Sequence, residues 1–205
     1  KEMYTFTDKG DRSLTLRPEL TAGVIRSVVE QKVVHSYDLP LKLYYLGPAF
    51  RYERPQLGRL RQFHQFGVEH IGITSPLSVA ETIATGVTVL EMLGFQGVSV
   101  SLNSLGDEAS RNAYKTALKA YYEPQLNDVC EDCRQRYETN PLRMLDCKVP
   151  ADHDRAKNAP KISDYLTPTS QAYFQSVQSA LSAINVQWHH DEQLVRGLEI
   201  GRAHV

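Results

Sequence analysis

Two runs of alternating apolar and polar residues, 41–50 (LKLYYLGPAF) and 62–71 (QFHQFGVEHI), flank a stretch carrying Arg51, Glu53, Arg54, Arg59 and Arg61. Side chains on a strand alternate between its two faces, so these runs predict an antiparallel hairpin with a long connection. In the first run Leu41, Leu43 and Tyr45 alternate, and Gly47-Pro48 is expected to interrupt the strand before Phe50. In the second, Phe63, Gln65, Gly67, Glu69 and Ile71 share one side, while His64, Phe66, Val68 and His70 share the other. Gln65 and Glu69 then stand about 14 Å apart at the usual rise per residue, and Gly67 is expected to leave an empty slot between them for a small polar molecule. Arg51 and Glu53 share a face, and the remaining arginines sit on or beside the turn. Planar guanidinium groups match phosphate oxygens two at a time, so the turn is a candidate clamp for a nucleotide triphosphate. The alternative is a solvated hairpin tip with scattered ion pairs.

The rest of the chain sets bounds on what surrounds this hairpin. Its 205 residues suffice for one sizeable core or a core with a smaller appended domain, and 41% hydrophobic with 23% charged residues is ordinary for a globular protein. The longest apolar runs fall far short of the ~20 residues a membrane span needs. The start, KEMYTF, has no signal pattern. With 23 basic against 24 acidic side chains the net charge is -1, so anion binding has to come from a local patch. Residues 18–34 predict an amphipathic helix, with Pro18 in its first turn and Val24, Ile25, Val28 and Val29 as the stripe. A second helix is expected over 75–95, with Ser78 and Glu81 as a capping box and Gly94 as the stop. A short strand follows at 98–103. From Asp107 the texture becomes helical, polar and proline-punctuated, with Thr167 and Pro168 opening a last helix before strand character returns at 186–198. Residues 107–185 therefore read as a mainly helical module inserted between strands of a sheet.

Several motifs, in order, bear a resemblance: TLRPELTAG at 15–23, FRYE at 50–53 with its loop and the strand RQFHQFGVE at 61–69, NSLGD at 103–107, NPLRMLDCK at 140–148, and LVRGL at 194–198. FRYE and the following strand are similar to motif 2 of the class II aminoacyl-tRNA synthetases, and the whole set most resembles the histidyl-tRNA synthetases. That resemblance implies an α+β fold, an antiparallel sheet flanked by helices with a helical insertion. It divides the chain into part of the catalytic core (1–106), the insertion (107–185) and a return to the core (186–198). It implies ATP with Mg2+, histidine and tRNA(His) as ligands, and a cytoplasmic homodimer for the complete protein. Carried over position by position, Arg51 and Arg196 would be catalytic beside the α-phosphate. Arg51, Glu53 and Arg59 would bind ATP. Glu19, Leu20, Thr21, Arg51, Gln65, Glu69 and Arg196 would bind histidine, with Glu69 facing the imidazole. A buried acceptor of that kind suits the task, because an analogue that leaves it unpaired can be rejected by ~10⁴-fold.

Other candidates are weaker. His64, His70, His189 and His190 are read as structural. Cys130, Cys133, Cys147 and His153 have the spacing C-x2-C-x13-C-x5-H, which is compatible with zinc, but the reading assigns no metal and treats the cysteines as reduced structural thiols. Arg111, Lys115, Lys119, Arg134, Arg136, Arg143 and Lys148 in the insertion are expected to meet tRNA phosphates. The resemblance also implies that motif 1 should precede Lys1, and that a tyrosine pair, motif 3 and an anticodon-binding domain should follow Leu198. The family pattern stops at residue 198; 199–205, EIGRAHV, matches a reading frame of a short-read sequencing adapter and is expected to be a non-native tail. The fragment alone is expected to be inactive. Two competing functions remain: a regulatory paralogue that partners ATP phosphoribosyltransferase without charging tRNA, and a non-catalytic nucleic-acid-binding module. The first is disfavoured because the insertion, Arg51, Gln65, Glu69 and Arg196 are all present, and the second by the near-neutral charge.

Overall fold

The computed structural model describes residues 3–36, 38–54 and 56–195. The chain divides into two units, 1–78 and 79–205.

In the first unit a small hairpin pairs β1 (Thr5–Thr7) with β2 (Ser13–Thr15) in antiparallel register. Asp8 closes its turn: one carboxylate oxygen accepts from the backbone N–H groups of Gly10 (2.8 Å) and Arg12 (3.0 Å), the other from Arg12 Nε (2.9 Å). These bonds, those from Arg12 foremost, hold the carboxyl below its usual range. Helix α1 spans Thr21–Glu30, three residues later than Pro18 suggested, because the Pro18 carbonyl is turned outward to accept from Arg51 Nε (2.8 Å). Lys32, with φ 50°, ends it before the short helix α2, Val33–Ser36. Only Val28 of the expected stripe is buried, and Val29 lies in the open.

The dominant element is the long hairpin of β3 (Leu41–Phe50) and β4 (Gln62–Ile71), ten residues paired with ten from Leu41 opposite Ile71 to Phe50 opposite Gln62. The expected break at Gly47-Pro48 is absent. Pro48 O accepts from Arg17 Nε (2.7 Å) and Phe50 N–H donates to Arg17 O (2.9 Å), so the backbone groups of residues 48 and 50 point away from β4. The donor that Pro48 lacks is therefore missing from the outer edge, where the strand pairing loses nothing.

The second unit is mainly helical. Helix α3 (Pro76–Met92) starts two residues before the expected cap: Ser75 Oγ accepts from Leu77 N–H (3.2 Å), while Ser78 bonds His70 (Oγ to Nδ1, 3.0 Å). It stops at Gly94, whose φ of 92° only glycine adopts cheaply. Strand β5 (Val100–Leu102) runs parallel to β6 (Trp188–His190), a pairing that needs the long crossover between them. That crossover holds α4 (Glu108–Tyr122), α5 (Glu131–Thr139), α6 (Pro150–Lys157) and α7 (Pro168–Ala183). Asp107 caps α4 by accepting from Ser110 N–H (2.8 Å), and also accepts from Thr167 Oγ1 (2.6 Å), itself the cap of α7.

Two hydrophobic clusters form in this unit. One gathers Tyr114, Leu118, Tyr122, Met144 and Ile162 with Cys133 and Cys147; the other packs Phe174, Val177 and Leu181 of α7 against Ala80 and Leu102. The last helix of the expected insertion thus shares its apolar face with α3 and β5. His153, proposed as a possible fourth partner of the cysteines, is exposed, and Asp152 takes the inward position. One residue along a helix turns the side chain by about 100°. Residues 196–205, with Arg196 and the expected tail, lie outside the described residues.

Candidate active site

The odd-numbered face of the β3–β4 hairpin collects the residues singled out above. Phe63, Gln65, Gly67, Glu69 and Ile71 are half-buried there, whereas Gln62, His64 and Phe66 are exposed on the opposite side. Against this face lies 17–21. Three bonds fix it: Phe50 N–H to Arg17 O, Arg17 Nε to Pro48 O, and Arg51 Nε to Pro18 O. Glu19, Leu20 and Thr21, forty-odd residues from Gln65 in sequence, are thereby brought to the hairpin that bears it. Both carboxylate oxygens of Glu19 accept from Ala22 N–H (3.1 and 3.0 Å), placing its charge at the start of α1, where the helix favours an anion. Leu20 is buried, and Thr21 Oγ1 meets Tyr45 Oη at 3.1 Å.

Tyr45 is the residue that sequence reasoning missed. It stands opposite Gly67, and its ring covers the space a Cβ at Gly67 would need; the ring's Cε2 lies 2.7 Å from that point, and Cζ and Oη lie closer. The slot expected at Gly67 is therefore filled from the partner strand, not left empty. Pairing of an aromatic residue with a cross-strand glycine was the available signal, readable only once the register was known. Arg17 was missed as well; its guanidinium lies beside Gly47, the partner of Gln65.

Gln65 carries the most informative atom. Its Oε1 is buried with no hydrogen-bond partner among the described residues. An orphaned buried acceptor costs about 1–3 kcal/mol unless something arrives to donate to it.

At the other end of the hairpin, Glu53 lies between two arginines, 4.0 Å from Arg51 Nη1 and 3.7 Å from Arg59 Nη1. The Arg51 guanidinium sits over the Phe63 ring at 5.1 Å. Arg61 is engaged structurally, with Nε donating to Glu53 O (3.2 Å) and its guanidinium stacked on Tyr52 (4.7 Å). The loop tip is a tight turn in which Arg59 N–H donates to Gln56 O (2.9 Å), with Gly58 at φ 77° in the position where a type II turn requires a left-handed residue. Partly exposed ion pairs of this kind are worth only ~0–1 kcal/mol, so a polyphosphate can displace Glu53 from either arginine.

Comparison with known families decides what this arrangement belongs to. The sequence profile of the tRNA synthetase class II core domain (G, H, P, S and T) matches residues 4–197. The chain belongs to that family. Similar proteins include histidine–tRNA ligases from Bacillus cytotoxicus, 53% identical over 199 residues, and from a Staphylococcus epidermidis strain, 50% identical over 199 residues. In both cases the match takes in 97% of this chain and 47% of the relative, so the chain spans about half the length of its curated relatives. The apo S. aureus histidyl-tRNA synthetase superposes with a TM-score of 0.76 at 42% identity, covering 96% of this chain and 45% of that one. An ATP phosphoribosyltransferase regulatory subunit/histidyl-tRNA synthetase from Bacillus halodurans shares the fold, with a TM-score of 0.60 at 19% identity, over 94% of this chain and 53% of that one. Of the FRYE motif, expected as a strand, only Phe50 lies in β3; Arg51, Tyr52 and Glu53 follow its end, and the arginine loop leads on to β4. Among the described residues no helix is long and apolar enough to cross a membrane.

Proposed function

We propose that this chain is part of the catalytic region of a histidine–tRNA ligase, which joins histidine to ATP as histidyl-adenylate, releases pyrophosphate, and passes the histidyl group to the 3' end of tRNA(His). The histidine carboxylate attacks the α-phosphorus in line, so the protein's task is to position the reactants and offset developing charge. Arg51, held by Pro18 O and the Phe63 ring, does this on the hairpin side; Arg196 completes the pair from outside the described residues. Arg59 takes the triphosphate and Glu53 the adenine amino group. Glu53, the carboxylate beside the arginines, is already flanked by two guanidinium groups, so Mg2+ would be held by the ATP phosphates rather than by Glu53 and would supply further offset of their charge. Glu19, Leu20 and Thr21 hold the α-ammonium side of histidine, and Glu69 the imidazole. The observation that carries the reading is the orphaned Oε1 of Gln65, a buried acceptor on the face where an ammonium or ring N–H would lie.

The complete protein would act as a cytoplasmic homodimer, with 107–185 as an insertion over the acceptor end of tRNA. Histidine-dependent ATP–pyrophosphate exchange by the full-length protein tests the first half; absence of exchange would remove the proposal and leave the regulatory reading. For the second half, neutralising the exposed Arg134, Arg143 and Lys148 together should depress tRNA charging while exchange persists. Unchanged charging would detach the insertion from tRNA.

A further inference from the structure

Cys130, Cys133, Cys147 and Asp152 come from three separate segments, yet their ligand atoms all lie within 4.8 Å of one another. Two of the separations can be compared with a metal polyhedron. The sulfurs of Cys130 and Cys147 are 3.8 Å apart, and Cys147 Sγ is 3.5 Å from Asp152 Oδ2. With Zn–S about 2.3 Å and Zn–O about 2.0 Å, the edges of a zinc tetrahedron are about 3.8 Å between sulfurs and about 3.5 Å from sulfur to oxygen. A disulfide, in contrast, needs about 2.05 Å, and all three cysteines are free.

The surroundings are also those of a ligand set. Cys130 caps α5, and its sulfur accepts from Cys133 N–H (3.4 Å), a bond to sulfur at a helix start that favours the thiolate. Arg155 Nη1 holds the second oxygen of Asp152 at 3.0 Å, the outer contact that orients a coordinating carboxylate. Cys133, Cys147 and Asp152 are buried, and Cys130 is half-buried, which leaves a side for entry. Asp152 Oδ2 accepts from the Cys130 N–H (3.0 Å) and lies 3.5 Å from Cys147 Sγ. The three sulfurs thus surround a buried carboxylate whose other oxygen is paired with Arg155.

We propose that Cys130, Cys133, Cys147 and Asp152 form a tetrahedral zinc site that ties the start of α5, the segment 141–149 and the start of α6 into one folded piece. Three sulfurs and one oxygen in a closed, four-coordinate set select zinc over harder ions, and with no open position the ion is structural rather than catalytic. The site is independent of the adenylate-forming face, since it uses none of that face's residues.

The test uses the full-length protein carrying this segment. Purified without chelator, it should hold about one equivalent of zinc per chain by plasma mass spectrometry, and Cys147→Ser and Asp152→Ala should each lower this to below about a tenth, while His153→Ala leaves it unchanged. Because loss of a ligand can also unfold those variants, the decisive measurement is cobalt substitution of the chelator-treated wild type. Thiolate-to-cobalt charge transfer with the strong visible bands of tetrahedral cobalt, bleached by stoichiometric zinc, supports the site. Absence of that spectrum overturns the proposal, as does a Cys130–Cys147 disulfide found by peptide mapping in protein whose thiols were blocked at lysis.

Discussion

Placing a methyl group at Gly67 examines the packing that builds the candidate active-site face. The Tyr45 ring occupies the position of that methyl, its Cε2 2.7 Å away with Cζ and Oη nearer, and Tyr45 Oη is in turn bonded to Thr21 Oγ1 at 3.1 Å. Gly67→Ala must therefore swing the ring and break the bond. Overpacking of this kind costs about 1–3 kcal/mol and the lost hydrogen bond about 0.5–1.5, so the expected loss is about 1.5–4 kcal/mol. In a Tyr45→Ala background the methyl has room, and the sign should reverse, since alanine in a strand is favoured over glycine by about 0.5–1 kcal/mol. The four proteins form a double-mutant cycle with an expected coupling of at least about 2 kcal/mol. Hydrogen exchange of the 41–50 and 62–71 amides is the suitable assay, because it reads this hairpin without requiring the whole protein to unfold in one step. Displacing Tyr45 also disturbs Thr21, so the KM for histidine should rise in Gly67→Ala with a smaller change in kcat. If the two substitutions are additive within about 0.5 kcal/mol, the ring does not fill the glycine's space and the reasoning fails.

Gln65→Ala should raise the KM for histidine by about 10- to 150-fold, the value of one hydrogen bond to a charged group, without lowering stability, because its Oε1 has no protein partner to lose; a destabilised variant with an unchanged KM would contradict this. Asp107 accepts from Thr167 Oγ1, Ser110 N–H and Ser110 Oγ, Thr167 being the largest cause, and its carboxyl is held far below the usual range. Its contribution to stability is then present above the unfolded pKa of about 3.9 and is lost as pH falls below that value, so an acid titration of Asp107→Asn should show a weaker decline below about pH 4 than the wild type. Leu118 is fully buried in the cluster around Tyr114 and Tyr122, and Leu118→Ala should cost about 2–5 kcal/mol in urea denaturation, with little effect if that core is fluid enough to collapse.

The period-2 pattern of 41–50 and 62–71 was enough to place Gln65 and Glu69 on one face, because a strand's alternation is a property of its own backbone. Caps close to the helices they begin were legible for the same reason, as at Thr167. The start of α1 was not, since the Pro18 carbonyl answers to Arg51, more than thirty residues away. Nor was the strand's passage through Pro48, which depends on Arg17 lying along the outer edge.

By itself, then, the sequence determined the family, the hairpin, its arginine loop and which residues of each strand share a face. Only the tertiary structure decided what fills the space over Gly67, which acceptor is left orphaned and that Asp152, not His153, completes the cysteine cluster. The physical reason is range. Backbone periodicity and capping are set within a few residues, whereas the occupant of a gap or the fourth member of a cluster is chosen by packing between segments distant in sequence, where one residue's rotation on a helix exchanges a carboxylate for an imidazole.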